Sequence, residues 1–309
     1  MADLSQLSIV IVNWNVRDLL AACLASLPRE AETIVVDNAS SDGSAAMVLA
    51  GFPHVRLIAN EDNLGYTRGN NQGIEQSQGR FILFLNPDTI VQDGALDTMV
   101  AYLQEHPNVG VVGPQLRYGD GSLQSSRRRF PTLATALFES TPLAWHLNPA
   151  RNRWALHYHM ADRQPHHVQE VDWLVGAALL TRREVLHRVG GFDEAYFMYS
   201  EELDWCRRVK KAGWRIVYLP AATITHYEGK SSEQVVAARH LRFNTSKVRY
   251  FRKHHGRLQA GVLRLALLAM YAVEWLMELA KWLVGSRRAL RRQRLRAYGQ
   301  LIRSGLRTA

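Results

Sequence analysis

Cysteine is scarce in this chain: two in 309 residues, Cys23 and Cys206, far apart and each at an apolar position of a helical pattern. No CxxC spacing occurs, which removes a disulfide framework and a structural zinc site and fits a reducing compartment. The glycine loops of two nucleotide-enzyme classes are also missing, since neither GxGxxG nor GxxxxGK[ST] is present. A sugar nucleotidyltransferase is disfavoured too, because no glycine-rich, lysine-bearing triphosphate loop opens the chain. The first residues, MADLSQLSIVIVNWN, lack the charged-then-apolar layout of a signal peptide. No internal repeat or low-complexity tract appears.

Positive charge is nearly absent as an excess until the chain is almost over. Met1–Ser246 holds 23 Lys and Arg against 26 Asp and Glu, a net −3, whereas Lys247–Ala309 holds 15 against 2, a net +13. The basic balance of the protein is therefore a property of its tail, and an anionic surface is the partner it implies for that end. Nucleic acid fits poorly, since the main domain is slightly acidic and carries no reader motif.

What is abundant is short β-branched runs. LSIVIVNW, TIVVDN, VRLIAN, RFILFLN and VGVVGPQL alternate with helical patterns, one opening at Asn15 with the stripe Leu19, Leu20, Cys23, Leu24 and Leu27, another at Asp93 with Leu96, Met99, Val100 and Leu103. The runs read as strands buried on both faces, and the alternation predicts an α/β protein with a mostly parallel sheet flanked by helices. From Tyr118 to about Glu170 the periodicity fades into an Arg- and His-rich insertion, read as long and partly mobile. VDWLVGAALLTRREVLHRVGGFDE then gives a strand and a short helix, SEELDWCRRVKKAG a helix capped by Ser200, and WRIVYLP a strand.

In open α/β sheets ligands bind at the carboxyl ends of the strands. There the sequence places Asn13 and Asn15, then Asp37 and Asn38, then Asn60 and Asn63, then Asn86, Pro87 and Asp88. Turn chemistry favours these residue types, but its recurrence after four strands points to a polar small-molecule site. Gly65, Gly69 and Gly73 fall four apart, either for close approach to a ligand or for helix–sheet packing. Glu201, Glu202 and Asp204 lie in a first helical turn, where acids also simply complement the helix dipole. His226 follows a strand-like stretch, and with Asp88 it would form part of a site for Mg2+ or Mn2+.

Together VNWN, VVDNASSDGS, NLGYTRGNNQG, FLNPDT, VGAALLTRREVLHRVGGFDE, FMYSEELDWCRR and ITHYEGKSS resemble, in order from about residue 7 to 232, the family 2 inverting glycosyltransferases of the GT-A (Rossmann-like) fold, in their rhamnosyltransferase-like branch. The resemblance implies that Asn86-Pro87-Asp88 is the DxD motif with Asn86 in place of its first Asp. Asp88 and His226 would be the metal ligands. Asp37 would read the pyrimidine base, and Asn13, Asn15, Asn38, Asn63, Gly65, Asn70 and Asn86 would line the donor site. Glu201-Glu202 matches the pair whose second member is the general base, so Glu202 is the expected base and Asp204 the runner-up. Trp173, Gly176 and Arg128 are expected on the acceptor side.

The implied domains are a GT-A domain over 1–232, with 118–170 as an acceptor-side insertion, and a helical, basic extension over 233–309. Within the extension, the longest charge-free run of Gly261–Gly285 is Leu265–Val273, short of a membrane span. Arg264, Glu274, Glu278 and Lys281 share one sector, so the pattern is an amphipathic helix with a broad apolar face. The expected enzyme is a cytoplasmic protein peripheral to the membrane, possibly a homodimer. It would move a deoxysugar such as rhamnose from a dTDP- or UDP-sugar to a lipid-linked or polysaccharide acceptor. The alternative is a catalytically idle nucleotide-sugar-binding scaffold, suggested by Asn86.

Overall fold

The computed structural model describes residues 2–139, 153–227, 236–285 and 287–308. They fall into two compact units, the first comprising Met1–Phe130, His159–Phe197 and Glu201–Ser231, the second Pro131–Tyr158, Met198–Ser200 and Ser232–Ala309. Glu228–Ser232 of the ITHYEGKSS motif and residues 140–152 of the insertion lie outside the described residues.

The first unit begins as the alternation requires: β1 (Leu7–Asn13), α1 (Arg17–Ala25), β2 (Glu32–Asn38), α2 (Ser44–Gly51), β3 (Arg56–Asn60), α3 (Tyr66–Gln76) and β4 (Phe81–Leu85). There follow β5 (Thr89–Val91), α4 (Ala95–Glu105), β6 (Val109–Arg117), β7 (Leu123–Gln124) and β8 (Arg127–Arg128). Next in the chain are α5 (Leu133–Glu139) and α6 (Arg153–Tyr158), which belong to the second unit. The first unit resumes with β9 (Gln169–Glu170), β10 (Trp173–Leu174), β11 (Ala178–Arg182), α7 (Arg183–Val189), α8 (Glu201–Lys211) and β12 (Arg215–His226).

The large sheet runs β3-β2-β1-β4-β11-β6-β12-β5, with β7 added beside β6 and β9 beside β12. Strands β3, β2, β1 and β4 are mutually parallel, β11 is antiparallel between β4 and β6, and β5 is antiparallel to β12. Strands β1 and β4 are buried along their whole length, as their unbroken apolar runs demand. Strand β3 departs from that reading: it is half-exposed, because it closes the sheet and has a neighbour on one side only.

Two helix starts also differ from expectation. Asn15 does not cap α1; it takes a left-handed φ of 53° and its Oδ1 accepts from Ser41 N at 2.7 Å. The first amide of α1 donates instead to Asp42 Oδ2 at 2.8 Å, so the cap comes from the loop after the next strand. Helix α4 starts after Gly94, whose φ of 73° suits the turn, rather than at Asp93.

The glycine ladder resolves as packing. A Cβ on Gly69 would lie 2.8 Å from Val12 Cγ1, and one on Gly73 would collide with Val10 Cγ1, so the missing side chains let α3 lie against β1. Gly65, at φ 88°, adds a close approach to the Phe197 carbonyl. Parts of the insertion are built into the sheet: β7 pairs with β6 and β9 with β12, while buried Arg127 donates to Gln169 Oε1 at 3.0 Å and stacks on Tyr218. That anchoring corrects the expectation of a mobile segment for these flanks.

In the second unit, α9 (Val236–Val284) bends at Gly256, where φ is 88°, and packs against α10 (Arg288–Ser304). By length and composition α9 could cross a membrane. Its charges are not free, however. Glu278 is 3% exposed and accepts from Arg291 and Arg294 of α10, and Arg264 donates to the Gly305 carbonyl just past the end of α10.

Candidate active site

At the carboxyl end of β4 the chain turns through Asn86-Pro87-Asp88 into β5, and backbone bonds fix the turn at both ends. Asn86 N donates to Ala177 O at 2.9 Å, and Tyr227 N donates to Asp88 O at 2.9 Å. The turn holds the Asp88 carboxylate in a buried position, 3.3 Å from His226 Nε2 at the end of β12. His226 Nδ1 lies 3.0 Å from Gln124 Oε1 of β7. Because that oxygen only accepts, Nδ1 carries the proton and the Nε2 lone pair faces the carboxylate. Two electron-rich atoms facing each other in a buried site make a donor set for a cation.

One hydroxyl ties this corner to the rest of the site. Tyr66, the first residue of α3, places its OH 3.2 Å from Asn86 Oδ1 and 3.1 Å from the Gly176 carbonyl. Burial raises its pKa, and the charges of Glu201, Glu202 and Asp88 raise it further, so all three carboxylates surround the phenol. A Cβ on Gly176 would lie 3.4 Å from Glu202 Cγ. Asp88 on one side and Glu202 on the other are thus gathered around Tyr66.

Glu201 and Glu202 open α8. Each has its Oε2 buried without a hydrogen-bond partner among the described residues. Burial pushes both carboxyls up, Glu201 well above the usual carboxylate range with a further push from the Glu202 charge. The backbone amides at the start of α8 and the Arg128 guanidinium pull Glu202 partly back. Asp204 is differently placed: fully buried, it is ion-paired with Arg208 at 2.9 Å, and Arg208 also donates to the carbonyls of Val189 and Gly191. It is a brace for the loop before α8.

The polar rim at the carboxyl ends of β1–β3 forms a connected network. Asp37 Oδ1 accepts from Asn13 Nδ2 at 2.7 Å and Ser40 Oγ at 2.7 Å, while its Oδ2 accepts from Ser40 N at 2.9 Å. Asn38 donates to the Gly65 carbonyl, Asn60 donates to Asn38, Asn63 Oδ1 accepts from Gly65 N, and Asn70 donates to the Tyr66 carbonyl. These asparagines shape the loops, and Asn13 Oδ1 and Asn70 Oδ1 remain buried without partners among the described residues. On the other side, β8 and β10 pair so that Arg128 faces Trp173 across the ribbon. The Trp173 indole donates to the Arg129 carbonyl and is buried, while Gly176 abuts Glu202.

Both cysteines are core residues, with thiols pushed up to about 12 by burial. Tyr66 and Gln124 carry no signal in the sequence that marks them for this site. Only the pairing of distant strands and the placement of α3 bring them to it.

The model of Glycosyl transferase family 2 matches residues 8–190. The chain belongs to that family. It is a glycosyltransferase, and the matched span carries the strand-end loops, the Asn86-Pro87-Asp88 turn, Tyr66 and Gly176. A second model, Glycosyl transferase family 21, matches residues 161–299. Among relatives, the N-acetylglucosaminyl-diphospho-decaprenol L-rhamnosyltransferase of Mycobacterium tuberculosis is 33% identical over 243 residues, covering 73% of this chain and 77% of the relative. The low-salt glycan biosynthesis hexosyltransferase Agl10 of Haloferax volcanii is 26% identical over 285 residues, covering 89% and 86%. In fold, this family 2 glycosyltransferase is similar to the mannosyltransferase PcManGT from Pyrobaculum calidifontis, solved in complex with GDP-Man and Mn2+. The TM-score is 0.56 at 18% identity over 96% of this chain and 85% of the other. The sheet order and flanking helices are those of the GT-A fold.

Proposed function

We infer that the protein is a metal-dependent, inverting glycosyltransferase that moves rhamnose or another deoxysugar from a nucleoside diphosphate donor to a lipid-linked or polysaccharide acceptor at the cytoplasmic face of the membrane. The observation that carries this reading is the grouping of Asp88 and Glu202 around Tyr66. The rhamnosyltransferase relative supports the choice of sugar and of a lipid-linked acceptor.

The residues fit Mg2+ or Mn2+. Asp88 offers a hard oxygen and His226 an imidazole nitrogen whose partner proton is held by Gln124, a second-shell arrangement common at metal sites. Among the described residues no group of three His, Cys, Asp or Glu gathers at one point, so further ligands would come from the donor and water. A cation bound there would supply Lewis-acid stabilisation of the departing diphosphate.

The chain's own residues do the rest. Asp37, in the network after β2, orients the nucleoside base. Glu202 accepts the proton of the acceptor hydroxyl; the freed oxygen attacks the anomeric carbon from the face opposite the diphosphate, which leaves with the bonding electron pair. One displacement inverts the centre. The raised carboxyl of Glu202 suits this, because a base is most effective when its pKa approaches the working pH. Glu202→Gln is expected to lower kcat by about 10²–10⁴-fold, and Asp88→Ala to abolish Mn2+-dependent turnover. Steady-state assays with a panel of dTDP- and UDP-sugars decide the matter. An intact donor in every Mn2+-containing reaction would instead favour an idle binder, the reading that Asn86 suggests.

A further inference from the structure

The helix α9 is built inside out. At about 100° per residue, Leu258, Leu265, Val273, Leu276, Leu283 and Val284 fall within a sector of about 100°, and each is more than half exposed. On the far side, Ala260, Leu263, Leu267, Tyr271 and Glu278 are buried. The polar sector is turned inward, with Arg264 and Glu278 bonded to α10 and its C-terminal cap. The outward stripe is about 39 Å long at 1.5 Å per residue. A soluble helix places these faces the other way round, and an apolar stripe of this length marks an interaction surface.

What covers the stripe is indicated by charge. From Gly285 to the last residue there are eight arginines and no acid. Glu278 engages Arg291 and Arg294, and most of the other six are exposed along α10 and at its ends. A second copy of this chain would bring the same uncompensated cations to the interface. An anionic leaflet neutralises them and receives the apolar side chains.

We propose that the outward stripe of α9 lies in the plane of an anionic lipid leaflet, with the α10 arginines on the headgroups and the Glu278–Arg291–Arg294 clasp holding the helix pair in register. The proposal rests on the membrane-side reading given above and names the face that carries it. Crossing is disfavoured because Glu274 and Lys281 interrupt the stretch on the same sector as Glu278.

The test uses the full chain and vesicles of phosphatidylcholine with or without phosphatidylglycerol, with no sugar nucleotide present. Sedimentation should show binding that requires phosphatidylglycerol, weakens with salt and is released by alkaline carbonate. Leu265→Asp with Leu276→Asp should lower binding by about tenfold or more, and Arg288→Glu with Arg292→Glu should remove the salt-sensitive part, all with unchanged circular dichroism. Unchanged binding by the Leu variant, no binding by the wild type, or retention through carbonate would each overturn the proposal. So would a lipid-free dimer that Leu276→Asp dissociates. Donor turnover in detergent is scored separately, so loss of catalysis and loss of docking are distinguishable.

Discussion

At the scale of single residues, the two adjacent glutamates are chemically unequal. Burial and the Glu202 charge make Glu201 the one that holds a proton near neutral pH. Glu201→Gln copies the protonated acid and should keep turnover within about tenfold of wild type, unlike Glu202→Gln. The sign of the stability effect follows from the raised pKa. The native state favours the neutral acid, so stability is fully present below the unfolded pKa and is lost as pH rises through the folded one. The gain in Tm from Glu201→Gln should therefore grow from pH 5 to pH 8; a gain independent of pH would contradict the assignment. Tyr66→Phe removes one hydroxyl and leaves the Gly176 carbonyl and Asn86 Oδ1 without that donor, at a cost of about 1–3 kcal/mol. It should lower kcat more than it changes donor KM, because the phenol positions groups on both sides of the reacting centre.

At the scale of elements, the glycines of α3 show how a motif can serve architecture. Gly73→Ala drives a methyl into Val10 of β1. Overpacking of this kind costs about 1–3 kcal/mol, which thermal unfolding would report, with donor KM rising as α3 carries Tyr66 and Asn70 away from the site. The strands and most helices were legible from apolar periodicity, because a strand buried on both faces leaves an unbroken β-branched run. The helix starts were not. Asn15 has the composition of a cap, yet Asp42 from the next loop fills that role, and no local pattern reports a partner supplied from 25 residues away. Asp204 was likewise indistinguishable from Glu202 until its pairing with Arg208 was seen.

At the scale of the whole molecule, charge is divided along the chain: a slightly acidic catalytic portion and a strongly basic tail. Within the second unit the tail's few acids acquire structural weight. Burial pushes the Glu278 carboxyl up, but hydrogen bonds from Arg291 and Arg294 outweigh it and hold the group below its usual range. The stability it contributes is present above the unfolded pKa and is lost as pH falls through the folded one. Glu278→Ala should accordingly destabilise the α9–α10 pair at neutral pH and matter little at strongly acidic pH. Hydrogen exchange along α10 would measure this, and equal protection in variant and wild type at neutral pH would count against it.

The sequence alone determined the α/β alternation, the carboxylates and asparagines at the strand ends, and the confinement of positive charge to the tail. These follow from periodicity and composition, which act over a few residues. Only the tertiary structure decided that Tyr66 stands between Asp88 and Glu202, that Gln124 backs His226, and that α9 turns its charges inward. Periodicity says which side chains share a face; which neighbour that face meets depends on contacts between residues tens to more than a hundred positions apart.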